Sequence, residues 1–279
     1  MQYYTKISAN YKRYTLNFSE VLKYRDLIDL FVRRDFKVRY AQTILGPLWL
    51  ILTPLLTSVV YFVVFGGILG VSVSGIPKML FYLLSNSLWV YMSSCITNNS
   101  RIFVENAQLF GKVYFPRLIV PIAKSVSNLV LLGIQMLIVI PFLVYHAYTG
   151  EVHPYLVMLP LFLVCVIVLG ILGTGLGVLT SSLTSKYRDL SMLITFIVTL
   201  LMYITPVIYT SEMIKNPLVK NLLWLNPATP VFELSRYILF GNGEVRIPYL
   251  IYSVIASLAI FILSALLFNK TEKTFMDTV

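Results

Sequence analysis

"RRDFKVRYAQTILGPLWLILTPLLTSVVYFVVFG", residues 33–66, decides the fold. Arg33, Arg34, Lys37 and Arg39 crowd its start, and from Ile44 to Gly66 no charged side chain occurs. An α-helix needs about 20 apolar residues to cross a hydrocarbon core of about 30 Å. Bases held against one end of such a run keep that end on the cytoplasmic side. The stretch reads as a membrane span with its entrance marked.

The rest of the chain repeats the pattern. Of the 279 residues 58% are hydrophobic and 12% are charged, against about 25% charged in a soluble domain. Runs long enough to cross fall at about 47–69, 79–97, 118–145, 155–180, 190–209 and 248–268. The expected fold class is therefore an all-α integral membrane protein with six transmembrane helices in a single domain. A net charge of +10 suits anionic lipid headgroups and the positive-inside bias, so no nucleic-acid partner is expected. Cys95 and Cys165 lie inside apolar runs and read as packing residues. The polar stretch before residue 21 has no apolar centre, so the first run is expected to be its own insertion signal.

Orientation follows from lysine and arginine. Sixteen of them fall before the first run, in alternate loops and after the last run, against five in the other loops; Lys124 stands apart inside the third run. Both termini are expected in the cytoplasm.

Residues 22–40 carry a second pattern. Tyr24, Ile28, Val32, Phe36 and Tyr40 recur every four residues with Leu27 and Phe31 beside them, while Asp26, Asp29, Arg33 and Lys37 share the other face. That predicts an amphipathic helix lying at the inner membrane surface. Acids interleaved with the bases favour a protein contact for its polar face. The loop after the second run holds a further helical stretch, about 100–110, with Ile102, Phe103, Asn106 and Phe110 near one face and Arg101 and Glu105 polar. In the fifth connection, 210–247, "LVKNLLWL" and "VFELSRYILF" are each about half the length needed to cross, which predicts short re-entrant helices on the outer side.

No acid lies in the middle of a run, so no proton relay is visible. Neither H-E-x-x-H nor a phosphate-cradling G-x-x-x-x-G-K-[ST] occurs, and no catalytic or metal-binding set is expected. Energy for any transport would have to come from a partner. Tyr61, Phe62, Phe65, Tyr82, Trp89, Tyr91, Tyr203 and Tyr209 gather in three runs and could offer flat apolar faces to sugars, with Ser85, Asn86, Ser87, Thr97 and Asn98 as polar company. The same rings also suit interface belts and helix packing.

Taken in order, residues 33–66, "NAQLFGKVYFPRLIVP" (106–121), "SKYRDL" (185–190), "TPVIY" (205–209) and "LNPATPVFELSRYILFG" (225–241) resemble the membrane subunit of ABC-2-type polysaccharide exporters. The likeness runs from about residue 21 to 268. It implies an exporter of lipid-linked O-antigen, capsular polysaccharide or teichoic acid in the bacterial inner membrane, working as a homodimer with two copies of an ABC ATP-binding subunit. ATP and Mg would be bound by that subunit and no cofactor by this chain. On the family's pattern Asp26, Asp29, Arg33, Arg101, Phe103, Glu105, Asn106, Phe110 and Lys112 couple to the ATPase. Arg34, Lys37 and Arg39 would attract the diphosphate of the lipid carrier and membrane lipids, and the eight aromatics would line the channel. An exporter of a lipid or drug-like molecule, a membrane glycosyltransferase or ligase, and a scaffold for envelope assembly stay open as rivals.

Overall fold

The computed structural model describes residues 23–40, 44–71, 73, 75–106, 109, 115–184, 187 and 189–276, with the backbone alone at 39–40 and 269–276. Ten α-helices account for most of the described residues: α1 Arg25–Tyr40, α2 Trp49–Tyr61, α3 Lys78–Ser100, α4 Ile102–Glu105, α5 Ile119–Tyr148, α6 Leu159–Thr184, α7 Leu190–Ile204, α8 Pro217–Leu225, α9 Thr229–Phe240 and α10 Ile247–Met276. Short 3₁₀ turns at Gly46–Leu48 and Leu156–Met158 lead into α2 and α6, and α2 runs on as a π-helix over Phe62–Ile68. Among the described residues there is no strand.

Five segments are long and apolar enough to cross a membrane: Gly46–Ile68, Lys78–Ser100, Ile119–Tyr148, Leu156–Thr184 and Ile247–Phe268. The run expected at 190–209 forms a helix of only 15 residues, α7, roughly 22 Å long. Its early end has a local cause. Thr205 precedes Pro206, and the proline ring pushes it out of the helical region to φ −94°, ψ 141°.

Polarity sorts the helices, in the reverse of the sense it has in water. α3 has the lowest mean hydropathy of the five spans, 1.3 against 2.2 to 3.0, and is the most buried. In a bilayer the apolar surface can face lipid, so the helix carrying Ser85, Asn86, Asn98 and Asn99 goes to the centre, where its polar groups find partners. α6 lies against it so closely that a Cβ at Gly173 or Gly177 would meet α3 backbone oxygen at 2.8 Å and 2.6 Å. Ser125 Oγ of α5 and Thr174 Oγ1 of α6 are 2.6 Å apart, Asn99 donates to Ser125, and Asn98 donates to Asn128 of α5. α10 closes over the far side of α6, with Phe261 backbone 3.0 Å from the position a Cβ would take at Gly175.

α8 and α9 form a helical hairpin with its bend at Asn226–Ala228. Asn226 makes the bend: its Oδ1 accepts from Ala228 N and its Nδ2 donates to Thr205 Oγ1. α9 is buried almost throughout. Arg236 bolts it in place, donating to Ser85 Oγ of α3 (2.9 Å), to the carbonyls of Pro206, Val207 and Tyr209, and to Glu233 (3.4 Å). Gly241, at φ +77°, ends the helix, and a side chain there would press on the His153 carbonyl at 2.9 Å.

At the other end of the molecule a second apolar cluster joins Phe31 of α1, Ile102 and Phe103 of α4, Phe115, Ile119 and Val120 beside and on α5, and Phe268 of α10. Leu27, Ile28 and Phe31 on the apolar face of α1 pack on protein, because α5 offers them a surface. Of the helix expected over 100–110, the described residues show one turn at Ile102–Glu105 and a helical Leu109, with 107, 108 and 110 outside the described residues; α3 itself extends to Ser100, and Arg101 breaks the run at φ −102°, ψ 6°.

Candidate functional site: a polar and aromatic cleft among apolar helices

A cleft of about 500 Å³ opens between α2, α3, α5 and α7. Each helix lends it one stripe at three- or four-residue spacing. From α2 come Trp49, Thr53, Thr57 and Tyr61; from α3 Asn86, Trp89, Val90, Ser93 and Thr97; from α5 Asn128, Leu131 and Gln135; from α7 Thr195, Val198, Thr199 and Met202. The spacing is that of one helix face. Side chains able to hydrogen-bond therefore meet inside helices whose other faces are apolar.

The hydroxyls are already oriented. Thr57, Thr97, Thr195 and Thr199 each donate to the carbonyl four residues back in their own helix. A hydroxyl has one donor and two acceptor lone pairs, so what remains for a guest is acceptor capacity. Gln135 Oε1 is buried without a partner and adds another acceptor. Asn86 is committed, donating to the Pro54 carbonyl at 3.2 Å and Ser58 Oγ at 3.4 Å. Pro54 also frees a carbonyl one turn before it in α2, since it has no N–H to offer. Among the described residues, no charged side chain lines the cleft. At one end Arg101 donates to Thr195 Oγ1 at 3.3 Å. Such a lining suits a neutral guest rich in hydroxyl groups, with Trp49, Tyr61, Trp89 and Tyr91 supplying flat faces.

Of the eight aromatics expected in a channel, the structure brings Tyr61, Trp89 and Tyr91 to the cleft. Tyr82 is fully buried beside Phe81, its ring 5.3 Å away and edge-on. Phe65 sits edge-on to Tyr61 at 5.9 Å. Phe62 and Tyr203 point outward from the chain, and Tyr209 donates from its hydroxyl to the Tyr203 carbonyl. Trp49 and the threonine pairs 53/57 and 195/199 were missed by sequence reasoning, though threonines four apart on an otherwise apolar helix are a legible signal.

The residues expected to couple to an ATPase divide by exposure. Asp26, Asp29 and Arg33 are exposed on α1, with Arg33 and Asp29 paired at 2.8 Å. Arg34 lies over the Phe31 ring at 4.7 Å, and Lys37 is exposed. Phe103 is wholly buried and stacks on Phe268 at 4.6 Å, so it anchors α4 from within instead of offering a contact. Asn106 is buried and donates to the Ile102 carbonyl, closing the turn. Glu105 pairs with Lys124 at 3.4 Å. Phe110, Lys112 and the Arg39 side chain lie outside the described residues.

At the opposite end a small ion cluster ties the hairpin to the start of α10. Glu244 receives Lys220 of α8 at 2.7 Å, Arg246 at 2.6 Å and the Ser211 hydroxyl at 3.2 Å, and the Arg246 guanidinium lies 4.8 Å over the Trp224 ring. Partial burial alone would raise the Glu244 carboxyl, but hydrogen bonds and charge from Lys220 and Arg246 outweigh it and hold it below the ordinary carboxylate range.

Residues 27–240 match the family described as ABC-2 type transporter. The chain belongs to that family. An O-antigen export system permease protein RfbA of Klebsiella pneumoniae is 29% identical over 257 residues, covering 90% of this chain and 94% of its own. A second protein of that name and species is 28% identical over 258 residues, with the same coverage. One from Myxococcus xanthus is 26% identical over 232 residues, 82% of this chain and 85% of its own. With five helices of spanning length, this ABC-2 type transporter is a multi-pass membrane protein.

Proposed function

We propose that the chain is the transmembrane subunit of an ATP-driven exporter that moves a lipid-linked polysaccharide across the bacterial inner membrane. The observation that carries this reading is the cleft itself, lined by threonine hydroxyls and aromatic faces and, among the described residues, by no charged side chain. A sugar presents hydroxyls to such acceptors and C–H faces to such rings. Similarity to three O-antigen export permeases over most of their length supports the same substrate class.

The polypeptide crosses six times in this reading. α7 and the extended residues that follow it make the fifth crossing, both termini face the cytoplasm, and the α8–α9 hairpin dips into the outer side. Two copies of the chain pair so that the open side of each cleft faces its counterpart. An ABC ATP-binding subunit, also in two copies, sits beneath α1 and α4 and holds the ATP and Mg; this chain carries no cofactor and catalyses no reaction of its own. Exposed Asp26, Asp29 and Arg33 on α1 offer that subunit a mixed-charge surface, while Arg34, Lys37 and Arg39 lie where a lipid-carrier diphosphate would arrive.

Co-expression with an ATP-binding subunit of the same transporter, followed by purification through a tag on this chain, tests the assembly. The expected result is a stable complex of two and two that hydrolyses ATP. A chain that purifies without the subunit and still acts on lipid-linked sugar would overturn the reading in favour of a membrane enzyme.

A further inference from the structure

Lys124 is the one cation that the loop-by-loop charge pattern leaves unassigned, standing in the second turn of α5 as that helix's single lysine or arginine. An ionisable group in a spanning helix is costly, and it marks a function or a pairing that justifies it. Lys124 pairs twice. Its Nζ lies 3.6 Å from Asp35 Oδ2, on α1, and 3.4 Å from Glu105 Oε2, on α4. Asp35 turns its other oxygen to Arg34 at 3.3 Å. The four charges balance, and Lys124 and Asp35 are largely shielded while Glu105 is nearly half exposed.

The same three elements also meet in the apolar cluster around Phe31, Phe103 and Ile119. Grease alone would hold them together and still let them slide. The double ion pair fixes one atom of α5 to one atom of each of the two elements that face the cytosol. Beyond Lys124, α5 leads directly to the transport path: Ser125 touches α6 through Thr174, and Asn128, one turn further on, lines the cleft. A crevice of about 430 Å³ beside the pairs, lined by Arg34, Asp35, Val38, Glu105, Asn106 and Lys124, leaves room for the elements to shift.

We infer that Lys124 is the positioning residue that makes α1 and α4 move as one piece with α5, so that displacement of either from the cytosolic side reaches the cleft wall. The inference rests on the ATP-driven reading for the source of that displacement. Coupling of this kind is a free energy between two sites carried by an element with two arrangements.

The test separates the joint from the motor. Spin labels on Val38→Cys and Val104→Cys, both exposed, report the α1-to-α4 distance in the purified chain in lipid, with buried Cys95 and Cys165 left in place. Wild type and Lys124→Arg are expected to give one narrow distance; Lys124→Met is expected to broaden it. Asp35→Asn and Glu105→Gln each remove one pair and keep the volume, so they read the joint even if Lys124→Met folds poorly. In the complex, Lys124→Met should lower export per ATP hydrolysed on the order of tenfold, and Lys124→Arg should restore it. An unchanged distance in Lys124→Met and in both acid variants overturns the proposal, as does a broadened distance with unchanged export per ATP. If wild type neither hydrolyses ATP nor exports with any ATP-binding subunit, it is the ATP-driven reading that falls, and the distances still decide the joint.

Discussion

Gly177 gives the sharpest prediction about packing. An added Cβ there would lie 2.6 Å from the Ile96 carbonyl oxygen, 2.6 Å from Asn99 Cβ and 2.8 Å from the Cys95 carbonyl oxygen. Two of the three obstacles are backbone and cannot rotate away. To reach ordinary contact at 3.4 Å, α3 and α6 must part by about 0.8 Å, disturbing Asn99 and its hydrogen bond to Ser125. Overpacking of this kind costs about 1–3 kcal/mol, against about 0.5–1 kcal/mol regained from replacing a helical glycine by alanine. Gly133 on α5 is the internal control, because nothing lies within 4 Å of its Cβ position. Gly133→Ala should stabilise by about 0.5–1 kcal/mol, whereas Gly177→Ala should destabilise by about 1–2 kcal/mol. Thermal unfolding in detergent can be followed by a thiol-reactive dye, since Cys95 and Cys165 are both buried until the fold opens. The midpoint for Gly177→Ala should drop by roughly 3–6 °C and that for Gly133→Ala should rise. Equal midpoints for the two variants would refute the close α3–α6 contact and the cleft geometry that depends on it.

Arg236→Met strands Glu233, 1% exposed, without a counter-charge; a loss of about 3–5 kcal/mol is expected, read as failure to accumulate in the membrane, with partial recovery when Glu233→Gln is added. Thr53→Val and Thr199→Val keep side-chain volume and remove cleft hydroxyls; each should raise the apparent KM for glycan export roughly two- to tenfold in vesicle assays. Glu244 is held below its unfolded pKa, so its contribution is present above the ordinary carboxylate range and lost as pH falls through the folded value. The protection of α8 amides against hydrogen exchange, taken relative to the intrinsic rate at each pH, should therefore hold at neutral pH and fall only as pH drops below the ordinary carboxylate range, a dependence that Glu244→Gln removes.

Much of the fold was legible because the bilayer allows so few solutions. A run such as 47–69 admits one reading, and the half-length apolar segments around "NPATP" emerged as the α8–α9 hairpin. Periodicity names a helix face but not its neighbour, and the departures follow from that. Phe103 shares a face with Asn106 in the sequence, yet Phe268, more than 160 residues away, covers it. Arg236 lies in the fifth connection of the sequence, and its place beside Ser85 depends on a hairpin folding back against α3. Tyr82 and Tyr91 lie on one helix nine residues apart, but only Tyr91 reaches the cleft, since rotation about the α3 axis is set by the glycine contacts with α6. The shortened α7 shows the converse: Thr205–Pro206 was a readable stop that overall hydropathy masked.

The proposed ATP-driven movement of a lipid-linked glycan through this chain is tested in a vesicle in which the chain and an ATP-binding subunit are reconstituted with a labelled lipid-linked polysaccharide. ATP with Mg on the cytosolic side is expected to transfer the glycan to the opposite face, where it becomes inaccessible to a glycosidase added outside with the ATP. Movement of a short lipid without the glycan, or an unmoved glycan while ATP is consumed by the intact complex, would contradict the account.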